Sequence, residues 1–275
     1  MVAIAESGLY PEGFKVISGT SVGAINGGGV AQYAPAEFSE GAEYARRMWL
    51  ERITSWRSIY RHRFPPYLAG AWKPSLYRDD PLRALLDDVI DEGRVKTSGV
   101  ELRVTGTNLE VGCVSVWSQR HPRLIDCIRA SASFPVAFPL VEVDGALHTD
   151  GYLDVAPLSH ALEPGIDQLV VVLTQDPWSP PTKTRAELGT VPAVGMRAVG
   201  LLVAEAMRND IDTCQAVNNA VAVGTAPVGC CYVNVTIIAP SRPLGPSLDF
   251  DADGIRANID LGYEDTRRIL ETERG

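Results

Sequence analysis

The sequence predicts an α/β fold, a three-layer α/β/α arrangement with a mostly parallel central sheet, spanning 1–275 as one domain. Helical patterns alternate with short apolar strand patterns along the chain, which is the signature of that class. Leu169 to Thr174 (LVVVLT) is a continuous apolar run of the kind that sits inside a parallel sheet. A chain of 275 residues buries roughly three-quarters of its unfolded surface, enough for a core without disulfides or metals.

The elements follow in order. The segment up to Gly8 reads as the end of a helix, and Tyr10 to Gly13 as a turn. Phe14 to Ser18 reads as a buried strand, and the small residues from Ser21 onward as a helix. A second helix spans Pro35 to Ile53, with Phe38, Ala42, Ala45 and Met48 near helical period. Pro81 to Glu92 has proline first and Gly93 after, the pattern of a helix ending at that glycine. Val100 to Thr107 and Gly112 to Ser118 alternate about a turn and form a hairpin. Leu124 to Ala132 is a helix stopped by Pro135, and Ala137 to Val143 leads to the Asp144-Gly145 turn. Pro192 to Ala216 is a long helix, Cys231 to Ile238 a strand, and Ile255 to Thr272 a final amphipathic helix.

Composition narrows the function classes. A net charge of −9 argues against nucleic acid as a partner, because phosphate binding needs a basic footprint. The charge is uneven: 52–78 carries Arg52, Arg57, Arg61, Arg63, Lys73 and Arg78 with no acid. That stretch also holds Trp56, Tyr60, Phe64, Tyr67 and Trp72, a mixture suited to peripheral contact with a membrane, although packing of the aromatics on the domain is the favoured reading. Five cysteines without C-x-x-C spacing are expected to be reduced, mostly buried thiols in a cytosol-like compartment, and neither a metal site nor a cofactor is expected. No run of 18 apolar residues and no signal peptide is visible, so the expected location is cytoplasmic with peripheral membrane contact.

Gly19-Thr20-Ser21-Val22-Gly23 is G-x-S-x-G between a predicted strand and a predicted helix, the context in which that motif has physical meaning. Glycines two residues either side relieve crowding in a sharp turn that holds the serine hydroxyl out at the sheet edge. The Val22 N–H at the helix start could stabilise an oxyanion. The plain alternative is an ordinary βα turn with serine as helix cap. Gly27-Gly28-Gly29 falls inside the helix and reads as a face packed on the sheet, since no phosphate-loop pattern surrounds it.

A serine hydroxyl needs a base. The four histidines are His62, His121, His148 and His160, and none follows His160, where an α/β-hydrolase would carry its late histidine. His148 and His160 remain candidates for a histidine-assisted esterase, with loop or surface histidines as the favoured reading. Asp150, in His148-Thr149-Asp150-Gly151, is the other candidate: a strand-end aspartate followed by glycine can approach another turn closely, and burial there would raise its basicity. A turn aspartate capping its own backbone is equally consistent with the residues.

Gly19 to Gly23, then Ala130-Ser131-Ala132-Ser133-Phe134-Pro135 with Phe138-Pro139-Leu140, then Asp150-Gly151 with Pro157 and Gly165-Ile166-Asp167, resemble the patatin-like phospholipase family in order and spacing. The resemblance implies a patatin-like domain and a Ser-Asp dyad without histidine, cleaving lipid or other acyl esters with no cofactor. Ser21 would be the acylated nucleophile, Asp150 the base, and Gly151 the residue that gives the backbone room. Tyr152 departs from the small residue usual after D-G. The family opens with a strand and a glycine-rich loop that supplies oxyanion donors; no counterpart precedes Ser21, so the domain is expected to be truncated at its N-terminus. A catalytically inactive lipid-binding or scaffold protein is the corresponding alternative. Asp249 to Asp260 resembles a calcium loop, but three prolines occupy the place of its first helix, and an acidic cap for the last helix is the expectation.

Overall fold

The computed structural model describes residues 1–63, 75–162, 165–246 and 248–273. Helix α1 (Val2–Glu6) leads through the predicted turn to strand β1 (Val16–Thr20). The strand runs two residues beyond the predicted Ser18 because its parallel pairing continues to Thr20. The turn is thereby confined to Ser21, and α2 (Val22–Val30) starts immediately. The predicted helix from Pro35 to Ile53 is three segments of different pitch: a 3₁₀ turn, α3 (Phe38–Arg47) and a π turn over Met48–Arg52.

Two short strands, β2 (Arg61–His62) and β3 (Tyr77–Arg78), pair antiparallel. The predicted helix Pro81 to Glu92 divides into α4 (Asp80–Val89) and α5 (Glu92–Thr97). Ile90 turns extended, and the Asp91 carboxylate accepts from the N–H groups of Gly93 and Arg94 at 2.8 and 3.1 Å, so Asp91 starts a new helix that contains Gly93. The hairpin is present as β4 (Glu101–Asn108) and β5 (Cys113–Ser118), followed by α6 (Leu124–Ser131). Strands β6 (Val141–Val143) and β7 (Ala146–Thr149) flank Asp144-Gly145, both with positive φ, as a two-residue hairpin turn requires. The remaining elements are β8 (Gln168–Val172), α7 (Val191–Ala222), β9 (Asn234–Ile238) and α8 (Ala252–Glu273).

The architecture is mixed α/β with flanking helices. β1 is parallel to β4, β8 is parallel to β9, and β5, β6 and β7 join by antiparallel ladders. The ladder of β4 decides where the site forms. One edge of β4 is occupied by β5 from Arg103 to Asn108. The other edge is shared: β1 pairs with it up to Thr20↔Thr105, and β7, arriving from the opposite direction, ends at Thr149↔Thr107. The two strands stop with only Gly106 between their partners, so the residues that follow them, Ser21 and Asp150, leave the sheet at one point.

The run in β8 was expected in the interior of a sheet, yet its described neighbour is β9 alone. Burial of both faces accounts for the apolar run: Leu169 and Val171 pack in one cluster with Met207 and Ile211 of α7, while Val170 packs with Ile4, Phe38 and Leu270 on the other side. A second core lies between β4 and helices α2, α4 and α6, where Leu102, Val104, Leu86, Leu124 and Ile128 are fully or nearly fully buried. Gly27 is seated on it, because an added Cβ would press on Ile17 and Leu102 at 3.1 Å. The cysteines differ from expectation: all five are free thiols, but only Cys127 is buried, and Cys113, Cys230 and Cys231 are exposed.

Candidate active site

Ser21 occupies a backbone conformation, φ 57° and ψ −123°, that a non-glycine residue adopts only when its surroundings impose it. Three contacts impose it. The Ser21 N–H donates to Ser131 Oγ at 2.9 Å. Thr20 Oγ1 donates to the carbonyl of Asp154 at 2.8 Å and lies 2.5 Å from Thr105 Oγ1. Finally, Gly19 abuts the Gly23 backbone so closely that a Cβ on Gly19 would overlap its carbonyl. The two glycines of the motif therefore have unequal reasons, since a Cβ on Gly23 would meet open space.

The Ser21 hydroxyl donates to Asp150 Oδ2 at 2.6 Å. Asp150 is delivered by the end of β7 and held by Ser133, whose carbonyl accepts from the Asp150 N–H at 2.9 Å and from Thr149 Oγ1 at 2.6 Å. Gly151 has no room for a side chain: a Cβ would lie 2.7 Å from Thr20 Cγ2 and 2.9 Å from both the carbonyl oxygen and Oγ1 of Thr105. Burial pushes the Asp150 carboxyl up to about 7, against the opposing hydrogen bonds from Ser21 and the Gly151 N–H. A carboxylate near neutrality is poised both to take and to return a proton.

Ser131 and Ser133 belong to the Ala130–Pro135 motif, but no role for them was read from the sequence. Ser131 holds the serine turn by its hydroxyl, whereas Ser133 holds the aspartate by its backbone carbonyl, which leaves no side-chain signature. The chain around them is tied down by Arg129, which meets the buried Asp79 carboxylate at 2.5 and 3.1 Å.

The histidines point elsewhere. His148, expected in a loop or at the surface, is buried in β7, with Nε2 3.0 Å from Ser115 Oγ, Nδ1 3.0 Å from the Ala146 carbonyl and its ring against Trp117. His160 pairs with Asp154 at 3.0 Å. His121 lies between Asp144 and Cys127, and His62 belongs to an aromatic cluster with Trp56, Tyr60 and Tyr77. These aromatics of 52–78 pack on one another and on Phe138 and Phe250; Phe64, Tyr67, Trp72 and Lys73 lie outside the described residues. Among the described residues no three His, Cys, Asp or Glu side chains gather as metal ligands. Asp251 caps α8 through the Gly254 N–H at 3.1 Å.

Ser21 and Asp150 open onto a cavity of about 1490 Å³ whose wall includes Ile25, Phe134, Phe138 and Tyr152, with β1 on one side and β8 on another. Fold and site together define a mixed α/β protein with a serine-carboxylate pair at the mouth of a large, largely apolar cavity. The model of the patatin-like phospholipase family matches residues 7–162, more than half of the chain, and the chain belongs to that family. Among solved structures it is similar to VipD from Legionella pneumophila, with 12% identity and a TM-score of 0.42 over 98% of this chain and 64% of that one. No curated protein sequence matches it.

Proposed function

We propose that the protein cleaves acyl esters of phospholipids or related lipids through a Ser21-Asp150 dyad. The observation that carries this reading is the 2.6 Å hydrogen bond from the Ser21 hydroxyl to a buried carboxylate raised to about 7. In acylation, Ser21 Oγ attacks the ester carbonyl carbon and its proton passes to Asp150. The tetrahedral intermediate collapses, the C–O bond to the alcohol breaks, and Asp150 returns the proton to the leaving oxygen. In deacylation, Asp150 takes a proton from water as that water attacks the acyl-serine, then gives it back to Ser21 Oγ as the fatty acid departs. The N–H of Val22, in the unpaired first turn of α2, serves as an oxyanion donor. Thr20 and Gly19 shape the turn, with Gly19 packed on the Gly23 backbone, and Gly151 lets Asp150 approach.

A fluorophosphonate probe followed by peptide mass spectrometry tests the assignment. The expected result is a label on Ser21 that vanishes in Ser21→Ala and weakens in Asp150→Asn, with hydrolysis falling about 10⁴-fold or more in the serine variant. Folded protein that takes no label and hydrolyses no lipid would support a catalytically inactive lipid-binding or scaffold role. Labelling lost on replacing His148 or His160 alone would support a histidine-assisted esterase.

A further inference from the structure

Helix α7 is 32 residues long, and its two halves differ in character. From Val191 to Val203 the only charged residue is Arg197; from Glu205 onward charged and polar residues return. Within the first half two apolar stripes run along opposite faces. Met196, Val199 and Val203, continued by Met207, recur at helical spacing and line the cavity that holds Ser21 and Asp150. Val191, Val194, Leu201 and Leu202 lie on the far side and stand in solvent, with Val191 87%, Leu202 71% and Val194 51% exposed. A helix apolar on both sides needs cover on both sides.

The surrounding charge indicates the kind of cover. Residues 176–205 hold Lys183, Arg185 and Arg197 against Asp176, Glu187 and Glu205, and each acid is engaged: Asp176 by the Trp178 N–H at 2.9 Å, Glu187 by Lys183 at 2.8 Å and Glu205 by Arg208, so that Arg185 and Arg197 are the charges left beside the apolar face. The same approach to the helix exposes Trp178. Apolar side chains, a tryptophan and the two arginines are the composition of an interfacial segment. No helix among the described residues is long and apolar enough to cross a membrane, so contact along the helix side is the geometry that remains for α7 to meet a lipid surface.

We propose that the outer face of α7, Val191 to Leu202, docks on an anionic lipid surface, while its inner face walls the acyl cavity, so that one helix joins the bilayer to the site. This rests on the lipid-hydrolase reading for its inner face and on exposure and charge for its outer face.

The test uses the full chain carrying Ser21→Ala, so that binding is read without turnover, with and without Val194→Asp/Leu202→Asp. Co-sedimentation with phosphatidylcholine vesicles containing about a third phosphatidylglycerol is expected to fall at least tenfold in the double variant. Binding of the parent should weaken on pure phosphatidylcholine or at high salt. Leu202→Trp, which adds interfacial area, is expected to tighten it. With Ser21 intact, the double variant should cleave a water-soluble p-nitrophenyl ester at the parental rate while losing activity on the same vesicles.

Unchanged vesicle binding in the double variant, in protein that still cleaves the soluble ester, overturns the docking face and leaves the dyad standing. Loss of vesicle binding in protein that never cleaves the ester leaves the docking face standing and overturns the hydrolase reading. A parental dimer that the double variant dissociates without vesicles assigns the face to a second copy and overturns the proposal.

Discussion

The two walls of the cavity are built on opposite plans. At the junction of β1 and β7 the fit is over-determined: Ser131 and Ser133 hold the serine and the aspartate, Thr20 reaches both Thr105 and Asp154, and Gly19 and Gly151 have no space for a methyl group. Across the cavity, the first half of α7 presents apolar side chains inward and outward and carries an N-terminal cap from Thr190 at 3.3 Å. Its side-chain ties to the sheet come late, where Asn218 exchanges two hydrogen bonds with the Val233 backbone at 2.7 and 2.9 Å. Under the proposed function, the difference separates two tasks. Proton transfer needs groups preorganised within a fraction of an ångström, whereas admitting a lipid needs a wall that interacts through area alone. Substitutions at the junction should therefore be costly and specific, and those on α7 mild for the fold.

Among substitutions that leave Ser21 in place, Asp150→Asn is expected to have the largest effect, lowering kcat/KM by about 10³-fold by removing the base. It should also stabilise the protein. The folded-state carboxyl titrates at about 7 against an ordinary 3.8, so its contribution is most favourable below 3.8 and is lost as pH rises through 7. The full shift corresponds to about 4 kcal/mol. Thermal melts of Asp150→Asn should exceed the parent by a few degrees or more at pH 8 and by less at pH 5. The parental kcat/KM should rise with pH through an apparent value near 7. A melting temperature that falls equally at both pH values would show that the carboxylate is not strained by burial.

Gly151→Ala comes next. Its new methyl group would meet Thr20 Cγ2 and the Thr105 backbone inside 3 Å, and backbone cannot move aside as a side-chain tip can. A loss of about 2–3 kcal/mol with reduced probe labelling is expected. Gly23→Ala, with open space around its Cβ, is the control that should fold and label. Equal damage from both would mean that the motif glycines act through chain flexibility rather than through contact.

These contrasts also explain what was legible in the sequence. The turn at Ser21 could be read because a βα bend with glycines on both sides is a local steric statement. Asp150 could not be chosen over a capping aspartate from its neighbours alone; its choice rested on resemblance, because the shared edge of β4 that brings it to Ser21 is set by long-range pairings, Thr20 with Thr105 and Thr149 with Thr107. The end of α4 at Ile90 was missed because the Asp91 cap competes with a pattern that otherwise continues to Gly93. The position of β8 was overread, since an apolar run reports burial of two faces and not the number of paired edges. The cysteines were expected to be mostly buried by residue type, although Cys230 and Cys231 are exposed in the approach to β9, outside any strand.

Smaller effects sharpen the comparison further. Ser131→Ala removes the acceptor of the Ser21 N–H and should cost about 1–2 kcal/mol while slowing acylation more than it raises KM, because it loosens the turn rather than the cavity. Ser21→Gly should be more stable than Ser21→Ala by about 1 kcal/mol, since glycine accepts a φ of 57° without the Cβ penalty. On α7, Leu202→Gln should change stability by less than about 0.5 kcal/mol, because the side chain it replaces is already in solvent. Measured by urea denaturation in one buffer, these three values should fall in that order. If Leu202→Gln proves as costly as Ser131→Ala, the outer face of α7 is packed against protein in solution, and the division between a rigid catalytic wall and an uncovered lipid-facing wall does not hold.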